Sequence, residues 1–420
     1  MLIGFAGISH LSLTYLLASA EKNYKIIAFD YNQQKIKKLN NLNEFFGEKK
    51  LLNFIKKNRK KIIFTDEKKY LRNCKFVFVS LDVKTDSQNN SDYSEVKYYL
   101  ESLDKYLPKK IPFILQSQVY PGFLENILKS KREKYYQVET LIFGKAIQRA
   151  LYPEQIIVGS NLKKIKNNFY KNFLKKFSKK IRIISIMEAE FCKIAINLFL
   201  AASLSTSNLL SKFTELSNIN YENIIPSLKL DKRIGKHAYI YPGLGISGGN
   251  IERDLVNMQK LLVKKKIKSS YFKEILSFSS ERKKWVANQL KLIMSKEKIK
   301  KISILGLSYK KDNSSIKNSP TIEILHEIKK NKRIQVQIYD DLVKNFKNYR
   351  IYKELKEVVK NCDILILMRD FKNINVIKKL NLTKLLNKKY IIDPFSILKN
   401  KIEKYINTKN NFYYKNLGRS

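Results

Sequence analysis

The sequence places an ammonium group and a carboxamide one helical turn apart in an apolar segment. Residues 186–212 predict a long helix that is apolar on nearly all sides, and Lys193 and Asn197 share one of its faces because they are four positions apart. A buried ammonium costs several kcal/mol unless it meets an anion or other acceptors. We interpret the pair as functional, since Glu188 and Glu190 are close in sequence. The alternative is a lysine whose charged end reaches solvent.

A glycine-rich segment downstream is the second candidate for chemistry. Residues 242–254 follow the apolar helix and end in Glu252-Arg253-Asp254. Glycine lets a ligand approach main-chain N–H groups, so this segment predicts a binding loop; a plain turn is the alternative. Four of the 13 glycines in the chain lie here: Gly243, Gly245, Gly248 and Gly249.

The N-terminal residues predict the first β-α-β unit of a dinucleotide-binding domain. Strand patterns at residues 2–6 and 24–29 flank a predicted helix at residues 11–20, and Gly7 opens the turn between the first strand and the helix. Asp30 ends the second strand, where a carboxylate binds the ribose hydroxyls of NAD and repels the 2′-phosphate of NADP. The alternative is a strand-turn-helix without a cofactor.

Later strands also end in polar residues, at the edge where a doubly wound sheet binds its ligands. They are expected at residues 75–81, 111–116, 156–159, 302–306, 334–339, 363–368 and 390–392. The second group of strands predicts another Rossmann-like unit, with Ser319 as the N-cap of a helix that begins at Pro320. A basic loop, residues 309–317, follows the first strand of that unit.

The expected fold class is therefore α/β, with two Rossmann-like doubly wound domains joined by a long central helix and a helical middle domain. The expected domains are a dinucleotide-binding domain at residues 1–185, a helical domain at 186–295 and a second Rossmann-like domain at 296–420. A length of 420 residues with 44% apolar and 29% charged residues is typical of a globular protein of this size.

The formal net charge of +46 would favour nucleic acid as a partner. The lysines, however, are scattered through every segment, so we do not expect nucleic-acid binding as the main function. Such a charge still attracts anionic ligands such as nucleotides.

The remaining sequence features indicate a cytoplasmic protein. Met1 leads directly into a strand pattern without signal-peptide features. The longest apolar run, residues 194–204, is interrupted by Asn197 and Ser203, so membrane insertion is not expected. Cys74, Cys192 and Cys362 have neither metal-ligand nor disulfide spacing, and no metal is expected.

Taken together, these segments resemble the UDP-glucose/GDP-mannose dehydrogenase family from Leu2 to about Gly418. The motifs that carry the resemblance stand in the family's order. They are Gly7 with Asp30, residues 117–122 (similar to S-T-x-P-P-G), Glu139 with residues 144–146 (E-F-L-x-x-G-x-A), residues 189–201 (A-E-x-x-K and N-x-F-L-A), residues 231–235 (D-x-R-I-G), residues 245–254 (G-[FY]-G-G-S-C-L-P-K-D) and residues 310–320 (K-x-x-T-x-D-x-R-x-S-P).

Members of this family oxidise the C6 alcohol of a UDP- or GDP-sugar to a carboxylate and reduce two NAD. The resemblance implies that Glu139 orients or activates water for thioester hydrolysis. It also implies that Lys193 and Asn197 stabilise the oxyanion at C6, and that Asp254 holds the water and lysine network.

The resemblance implies binding residues as well. The cofactor contacts would be Gly7, Ser9, Asp30, Lys35, Val83, Gln118 and Lys317, and the sugar-nucleotide contacts would be Arg233, Gly245, Gly248 and Lys310. UDP-glucose is the expected substrate, while UDP-N-acetylmannosamine and related sugars stay open. The apolar helix favours a homodimer.

One departure from the family pattern affects the chemistry. The nucleophilic cysteine of the family falls at Asn250, and an amide nitrogen cannot replace a thiolate that traps the aldehyde for the second oxidation. Cys192 adjoins Lys193 and so projects about 100° away on the helix. Further departures are Ser9 and Ser12 for glycines of the G-x-G-x-x-G fingerprint, Gln118 for Thr, Ser315 for Asp and Lys317 for Arg.

Three hypotheses therefore compete. The first is an NAD-dependent UDP-sugar dehydrogenase that is impaired at the second oxidation or halts at the aldehyde. The second is a non-catalytic relative that binds a nucleotide sugar or a partner subunit. The third is a basic nucleic-acid binder. The presence of Glu139, Lys193, Asn197 and Asp254 favours the first.

Overall fold

The structure is a computed structural model. It describes residues 1–43, 49–86, 88–142, 144–247, 249–308, 316, 319–330, 333–347, 349–371, 374–406 and 412–419. The chain divides into two compact units, Met1–Ile196 and Asn197–Ser420, here called the N-terminal and C-terminal units. The three-domain division at residues 185 and 295 stays a prediction.

The N-terminal unit alternates strands with helices. Its strands are β1 (Leu2–Ala6), β2 (Lys25–Phe29), β3 (Ile62–Thr65), β4 (Val77–Val79), β5 (Lys84–Thr85), β6 (Ser91–Asp92), β7 (Phe113–Leu115), β8 (Lys134–Gln137), β9 (Ile156–Ser160) and β10 (Ile181–Ile184). Its helices are α1 (His10–Glu21), α2 (Gln33–Asn40), α3 (Lys49–Asn58), α4 (Ser94–Tyr106), α5 (Phe123–Ile127), α6 (Ala146–Leu151) and α7 (Asn168–Lys175).

Eight of these strands form one sheet in the order β10-β9-β8-β7-β4-β1-β2-β3. Neighbouring strands are parallel except β8 and β9, and the register of β1 on β2 runs from Leu2 opposite Lys25 to Ala6 opposite Phe29. The chain order reverses between β1 and β4. The carboxyl ends of these strands therefore form the edge where a doubly wound sheet binds its ligand.

Alternation along the strands builds a core on each face of this sheet. Ile3 and Phe5 of β1 pack with Phe78 in one apolar cluster. Val77 and Val79 of β4 belong to the other cluster. Successive side chains of a strand point to opposite faces, so a continuously apolar strand requires cover on both sides.

The C-terminal unit contains most of the helical middle segment and a second sheet. Its helices are α9 (Ile225–Leu230), α10 (Asn250–Lys264), α11 (Tyr271–Lys283), α12 (Trp285–Lys296), α13 (Pro320–Lys329), α14 (Leu355–Val359), α15 (Ile374–Lys379), α16 (Leu382–Leu385) and α17 (Lys399–Ile406). Its strands are β11 (Lys301–Leu305), β12 (Gln335–Tyr339), β13 (Ile351–Tyr352), β14 (Cys362–Leu367), β15 (Leu386–Ile392) and β16 (Tyr413–Lys415). Helix α8 (Ile186–Glu215) begins in the N-terminal unit and ends in the C-terminal unit.

The second sheet is parallel throughout, in the order β13-β12-β11-β14-β15-β16. Helix α13 begins as the sequence predicts, because Ser319 is its N-cap and Pro320 its first residue. One mostly parallel sheet and one wholly parallel sheet, each with flanking helices, confirm the predicted α/β fold class.

One expectation needs correction. Helix α10 begins at Asn250, so the last five residues of the predicted binding loop at 242–254 are helical. Helix α8 is apolar on nearly all sides, as the sequence predicts, and part of this apolar surface is exposed in the single chain: Phe191 is 42%, Phe199 80% and Leu209 57% exposed. Among the described residues, α8 is long and apolar enough to cross a membrane by length and composition, although core helices pass the same test.

Candidate functional site

The turn after β1 is organised around Gly7 and Asp30. The Gly7 N–H donates to the carbonyl of Phe29 at 2.8 Å, and the Ile8 N–H donates to Oδ2 of Asp30 at 2.7 Å. Gly7 has φ +78°, and a Cβ at this position would lie 2.4 Å from Cδ2 of Leu81. Only glycine fits here without a shift in its neighbour, so the turn between β1 and α1 is tight, as a dinucleotide site requires.

Ser9 stands at the position of the second fingerprint glycine, and its hydroxyl is used by the protein itself. Its hydroxyl caps helix α1 by accepting from the Ser12 N–H at 3.3 Å, and it donates to the carbonyl of Ser80 at 3.1 Å. The side chain is therefore directed into the protein. Helix α1 still presents the positive end of its dipole to an anionic ligand.

Asp30 and Lys35 form an ion pair at the end of β2. Nζ of Lys35 lies 2.7 Å from Oδ2 of Asp30, and the Asn32 N–H donates to Oδ1 at 2.9 Å. A ribose that binds Asp30 would therefore meet Lys35 as well. Together with the tight glycine turn and the amino end of α1, this pair fits a dinucleotide, and we assign the N-terminal unit as the NAD-binding unit.

The structure also places Val83 and Gln118 beyond the carboxyl ends of β4 and β7 respectively. Gln118 is buried and Val83 is half-buried. The two segments are tied together because the Leu81 N–H donates to the hydroxyl of Ser117 at 2.7 Å. Both predicted cofactor residues thus follow strands whose carboxyl ends form the ligand-binding edge.

Lys193 and Glu139 form a buried ion pair within the N-terminal unit. Nζ of Lys193 on α8 lies 2.7 Å from Oε1 of Glu139, and the side chains are 8% and 12% exposed. Oε2 of Glu139 accepts from the Leu141 N–H at 2.9 Å. The alternative interpretation of Lys193, a charge that reaches solvent, is therefore wrong, because the buried carboxylate supplies the anion that the ammonium needs.

Asn197 and Asp254 form a second buried pair, within the C-terminal unit. Nδ2 of Asn197 donates to Oδ2 of Asp254 at 2.6 Å, and both residues are buried. Nε of Arg253 lies 3.6 Å from the other carboxylate oxygen of Asp254. Asp254 thus fixes the orientation of the Asn197 carboxamide on α8.

Asn250 is the exposed first residue of helix α10. It precedes Asp254 by four residues, so the two side chains share one face of that helix. The cysteines of the chain do not compensate for the missing thiol. Burial raises the pKa of Cys74 to about 12, that of Cys362 to about 11 and that of Cys192 above its usual value, which leaves little nucleophilic thiolate at neutral pH.

The glycine-rich loop is held by polar side chains of two helices. The Gly243 N–H donates to Oδ1 of Asn208 on α8 at 2.7 Å, and the Ile246 N–H donates to the hydroxyl of Ser279 on α11 at 2.7 Å. Gly245 has φ +72°, and a Cβ there would lie 2.4 Å from the Ser279 carbonyl oxygen. This part of the predicted binding loop is therefore built on close backbone packing.

The structure does not bring every predicted residue to a site. Arg233 is exposed and pairs with Asp231 at 2.7 Å. Gly248, Lys310 and Lys317 lie outside the described residues.

The C-terminal sheet repeats the turn of the first sheet, which sequence reasoning missed. The Gly306 N–H donates to the Tyr339 carbonyl at 2.8 Å, and the Leu307 N–H donates to Oδ2 of Asp340 at 2.7 Å. Burial opposes ionisation of Asp340, but the guanidinium of Arg369 at 2.9 Å and several backbone amides outweigh it, so the pKa is lowered. A glycine after β11 and an aspartate after β12 were the available signal.

The chemistry available to these groups is electrostatic. An ammonium at Lys193 and an oriented carboxamide at Asn197 lie one helical turn apart on α8. Both are donors suited to an oxygen that gains negative charge.

Comparison with known proteins identifies the family. Three profiles of the UDP-glucose/GDP-mannose dehydrogenase family match the chain: the NAD binding domain at residues 1–177, the central domain at 187–280 and the UDP binding domain at 303–400. Together they cover most of the sequence.

Individual relatives agree with these profiles. A UDP-glucose 6-dehydrogenase from Rickettsia prowazekii (strain Madrid E) is 26% identical over 428 residues, which is 97% of this chain and 98% of the relative. A UDP-glucose dehydrogenase from the hyperthermophilic archaeon Pyrobaculum islandicum shares the fold with a TM-score of 0.86 at 15% identity, covering 100% of this chain and 98% of that chain. A UDP-D-ManNAc dehydrogenase from Pyrococcus horikoshii has a TM-score of 0.83 at 20% identity, covering 100% and 99%.

The family profiles agree with three features of the structure. These are a dinucleotide-binding type of turn, a second Rossmann-like sheet and two buried polar pairs that share helix α8. The protein is an NAD-dependent oxidoreductase that belongs to the UDP-glucose/GDP-mannose dehydrogenase family.

Proposed function

We propose that this protein oxidises the C6 alcohol of a UDP-sugar with NAD. The observation that carries the proposal is the buried Lys193–Glu139 pair. Burying an ion pair costs desolvation free energy, and a purely structural helix does not need such a pair near its start. The Asn197–Asp254 pair, one turn further along the helix, supports it. The UDP binding domain profile at residues 303–400 supports a UDP-linked substrate.

The proposed roles of Lys193, Asn197, Glu139 and Asp254 follow from their contacts, whereas those of Gly248, Lys310 and Lys317 rest on the family motifs alone. The bound NAD supplies the hydride acceptor. Lys193 and Asn197 stabilise negative charge on the C6 oxygen, and Glu139 and Asp254 keep these two donors oriented. Gly7, Ser9, Asp30, Lys35, Val83 and Gln118 bind the cofactor with Lys317. Gly245, Gly248, Arg233 and Lys310 bind the sugar nucleotide.

We further propose that the reaction stops at the aldehyde. Oxidation of the alcohol removes two electrons and reduces one NAD, whereas the second oxidation needs a nucleophile that forms a covalent adduct with the aldehyde carbon. Asn250 has no nucleophilic lone pair of that kind. The aldehyde is then the main product, apart from slow oxidation of its hydrate.

UDP-glucose is the proposed sugar, in keeping with the Rickettsia relative named as a UDP-glucose 6-dehydrogenase. The similarity to a UDP-D-ManNAc dehydrogenase keeps N-acetylated mannose among the candidates. We also propose a cytoplasmic homodimer. Apolar side chains exposed on the C-terminal part of α8 would be covered by a second copy. They are Phe199, Leu209, Leu210 and Phe213, and Leu216 directly after the helix is exposed as well.

The test is purified protein with NAD and a panel of UDP-sugars, followed by NADH absorbance and mass spectrometry of the product. We expect NADH with one sugar of the panel and a UDP-linked aldehyde. UDP-sugar binding by calorimetry without any NADH would overturn the proposal and indicate a non-catalytic relative. Tight, salt-dependent DNA binding would instead indicate a nucleic-acid binder.

A further inference from the structure

Glu190 is a buried carboxylate that caps a neighbouring helix. It lies on α8, is fully buried, and accepts hydrogen bonds from the backbone N–H groups of Gly122 and, at 2.9 Å, Leu124. Gly122 is the N-cap of α5 and has φ +89°. A charged acceptor on two amides is worth more than a neutral one, so Glu190 fixes where the segment before α5 ends.

The capped segment is the one that carries Gln118. Residues 117–122 leave the carboxyl end of β7, next to β4 and the ligand-binding edge of the sheet. Its first residue, Ser117, accepts from the Leu81 N–H. Ser117 and Glu190 therefore hold the two ends of this segment.

Glu190 also lies three residues before Lys193 on α8. Residues three apart on a helix are neighbours. One turn of α8 therefore makes two contacts. Glu190 accepts hydrogen bonds at the end of residues 117–122, and Lys193 pairs with Glu139.

The surroundings of Glu190 disfavour its charge. Burial raises the pKa of Glu190 to about 7, and Glu125 of α5 adds repulsion, while the amides of Leu124, Gly122 and Phe123 act in the opposite direction. Lys193 lies one turn away, where Glu139 pairs with it. A protonated carboxyl is a weaker acceptor for two amides than a carboxylate is.

We propose that ionised Glu190 is a positioning residue that holds residues 117–122 in place for NAD, so that protonation of its carboxyl weakens NAD binding. The inference rests on the proposed function, because it assigns this segment to the cofactor. It adds a residue that touches neither cofactor nor sugar and that acts through the amides of Gly122 and Leu124.

The experiment measures the dissociation constant of NAD by calorimetry with the full chain between pH 5.5 and pH 8.5. For the wild type we expect affinity about tenfold weaker at pH 5.5 than at pH 8.5. Glu190→Gln presents one acceptor and one donor to two amide donors, so we expect weak affinity at all these pH values. Glu188→Gln, an exposed glutamate two positions earlier on the same helix, should match the wild type.

The outcomes separate the two proposals. If the wild type binds NAD equally at all these pH values and Glu190→Gln binds as tightly, the role of Glu190 is refuted while NAD dependence stands. If Glu190→Gln only lowers the melting temperature and keeps the affinity, Glu190 is a structural cap alone. If the wild type binds no NAD at any pH, the proposed function itself fails. The wild-type titration needs no variant, so a misfolded variant leaves the test intact.

Discussion

In the proposed reaction, the side chain at position 250 would decide how far the sugar is oxidised. Asn250 begins helix α10, and no cysteine of the chain substitutes for it, because burial raises the pKa of all three thiols. A cysteine at the first position of a helix has its thiolate stabilised by the helix dipole. Position 250 would therefore suit a thiolate nucleophile, but its asparagine side chain has none.

Asn250→Cys should therefore change the stoichiometry of the reaction. We expect NADH formed per sugar to rise from one to two, with a UDP-linked acid replacing the aldehyde. The measurement is NADH absorbance at limiting sugar with mass spectrometry of the product. Asn250→Ser is the matched control and should stay at one. An unchanged stoichiometry in Asn250→Cys would mean that position 250 does not face the reacting carbon.

Lys193 offers a second test at the residue scale. Lys193→Ala should lower kcat about 10²- to 10³-fold, because it removes a donor for the developing oxyanion. It also leaves Glu139 buried without its cation, which costs stability. The double variant Lys193→Ala/Glu139→Gln should regain melting temperature but not activity. Full activity in either variant, or complete unfolding in both, would make Lys193 a structural residue.

At the scale of elements, helix α8 and the glycine-rich loop depend on each other. Asn208 of α8 and Ser279 of α11 bind the backbone of the loop, and Ser203 and Ser207 of α8 donate to the carbonyl of Tyr239. Polar residues that interrupt the apolar pattern of α8 therefore hold the loop that precedes α10.

Gly245→Ala should disturb this loop. Its φ of +72° and the 2.4 Å approach of a Cβ to the Ser279 carbonyl oxygen predict a cost of about 1–3 kcal/mol. We expect weaker UDP-sugar binding by calorimetry with NAD binding unchanged. Gly243→Ala is the matched control, because the nearest atom there is 4.0 Å away. Equal affinities for both variants would contradict the assignment of the loop to the sugar nucleotide.

At the scale of the whole molecule, two buried carboxyls set the pH dependence of stability. Burial raises the pKa of Glu190 to about 7 and that of Asp393 to about 6. The folded state then binds these protons more tightly than the unfolded state does. Their contribution to the free energy of unfolding is present at low pH and is lost as the pH rises from about 4 to 7. Carboxyls whose pKa is lowered, such as Asp340, lose their stabilising contribution only at a pH below this range.

We therefore expect the melting temperature to fall between pH 5 and pH 7, by an amount that reflects a few kcal/mol. Circular dichroism melts in matched buffers measure it. The double variant Glu190→Gln/Asp393→Asn should flatten the slope across this window. A wild-type melting temperature that rises from pH 5 to pH 7 would contradict a raised pKa for these two buried carboxyls.

The exposed apolar residues of α8 allow the proposed homodimer to be tested. Phe199→Glu should convert the proposed dimer to a monomer, because a charge in an apolar interface is left unpaired. Light scattering after size exclusion measures the mass. Leu162→Glu is the control, since Leu162 is a comparably apolar residue that is 55% exposed in the N-terminal unit. A monomeric wild type would remove the homodimer from the proposal.

The α/β class, the two Rossmann-like units and the family were available from the sequence, whereas strands β3, β8, β10, β13 and β16 were not among the strands expected. Continuous apolar strands such as residues 2–6, a tight turn at Gly7 and a capped helix start at Ser319 are local patterns, and local patterns survive in a linear chain. The four-residue spacing of Lys193 and Asn197 likewise required only helical geometry.

Only the tertiary structure decided the partners. Lys193 and Glu139 are 54 positions apart and Asn197 and Asp254 are 57 apart, so their pairing depends on how distant segments pack. The same holds for Glu190 with Gly122, for the second turn at Asp340, and for the exposure of Phe199. Sequence patterns specify which face a side chain takes, whereas burial and charge pairing arise only when separate elements meet.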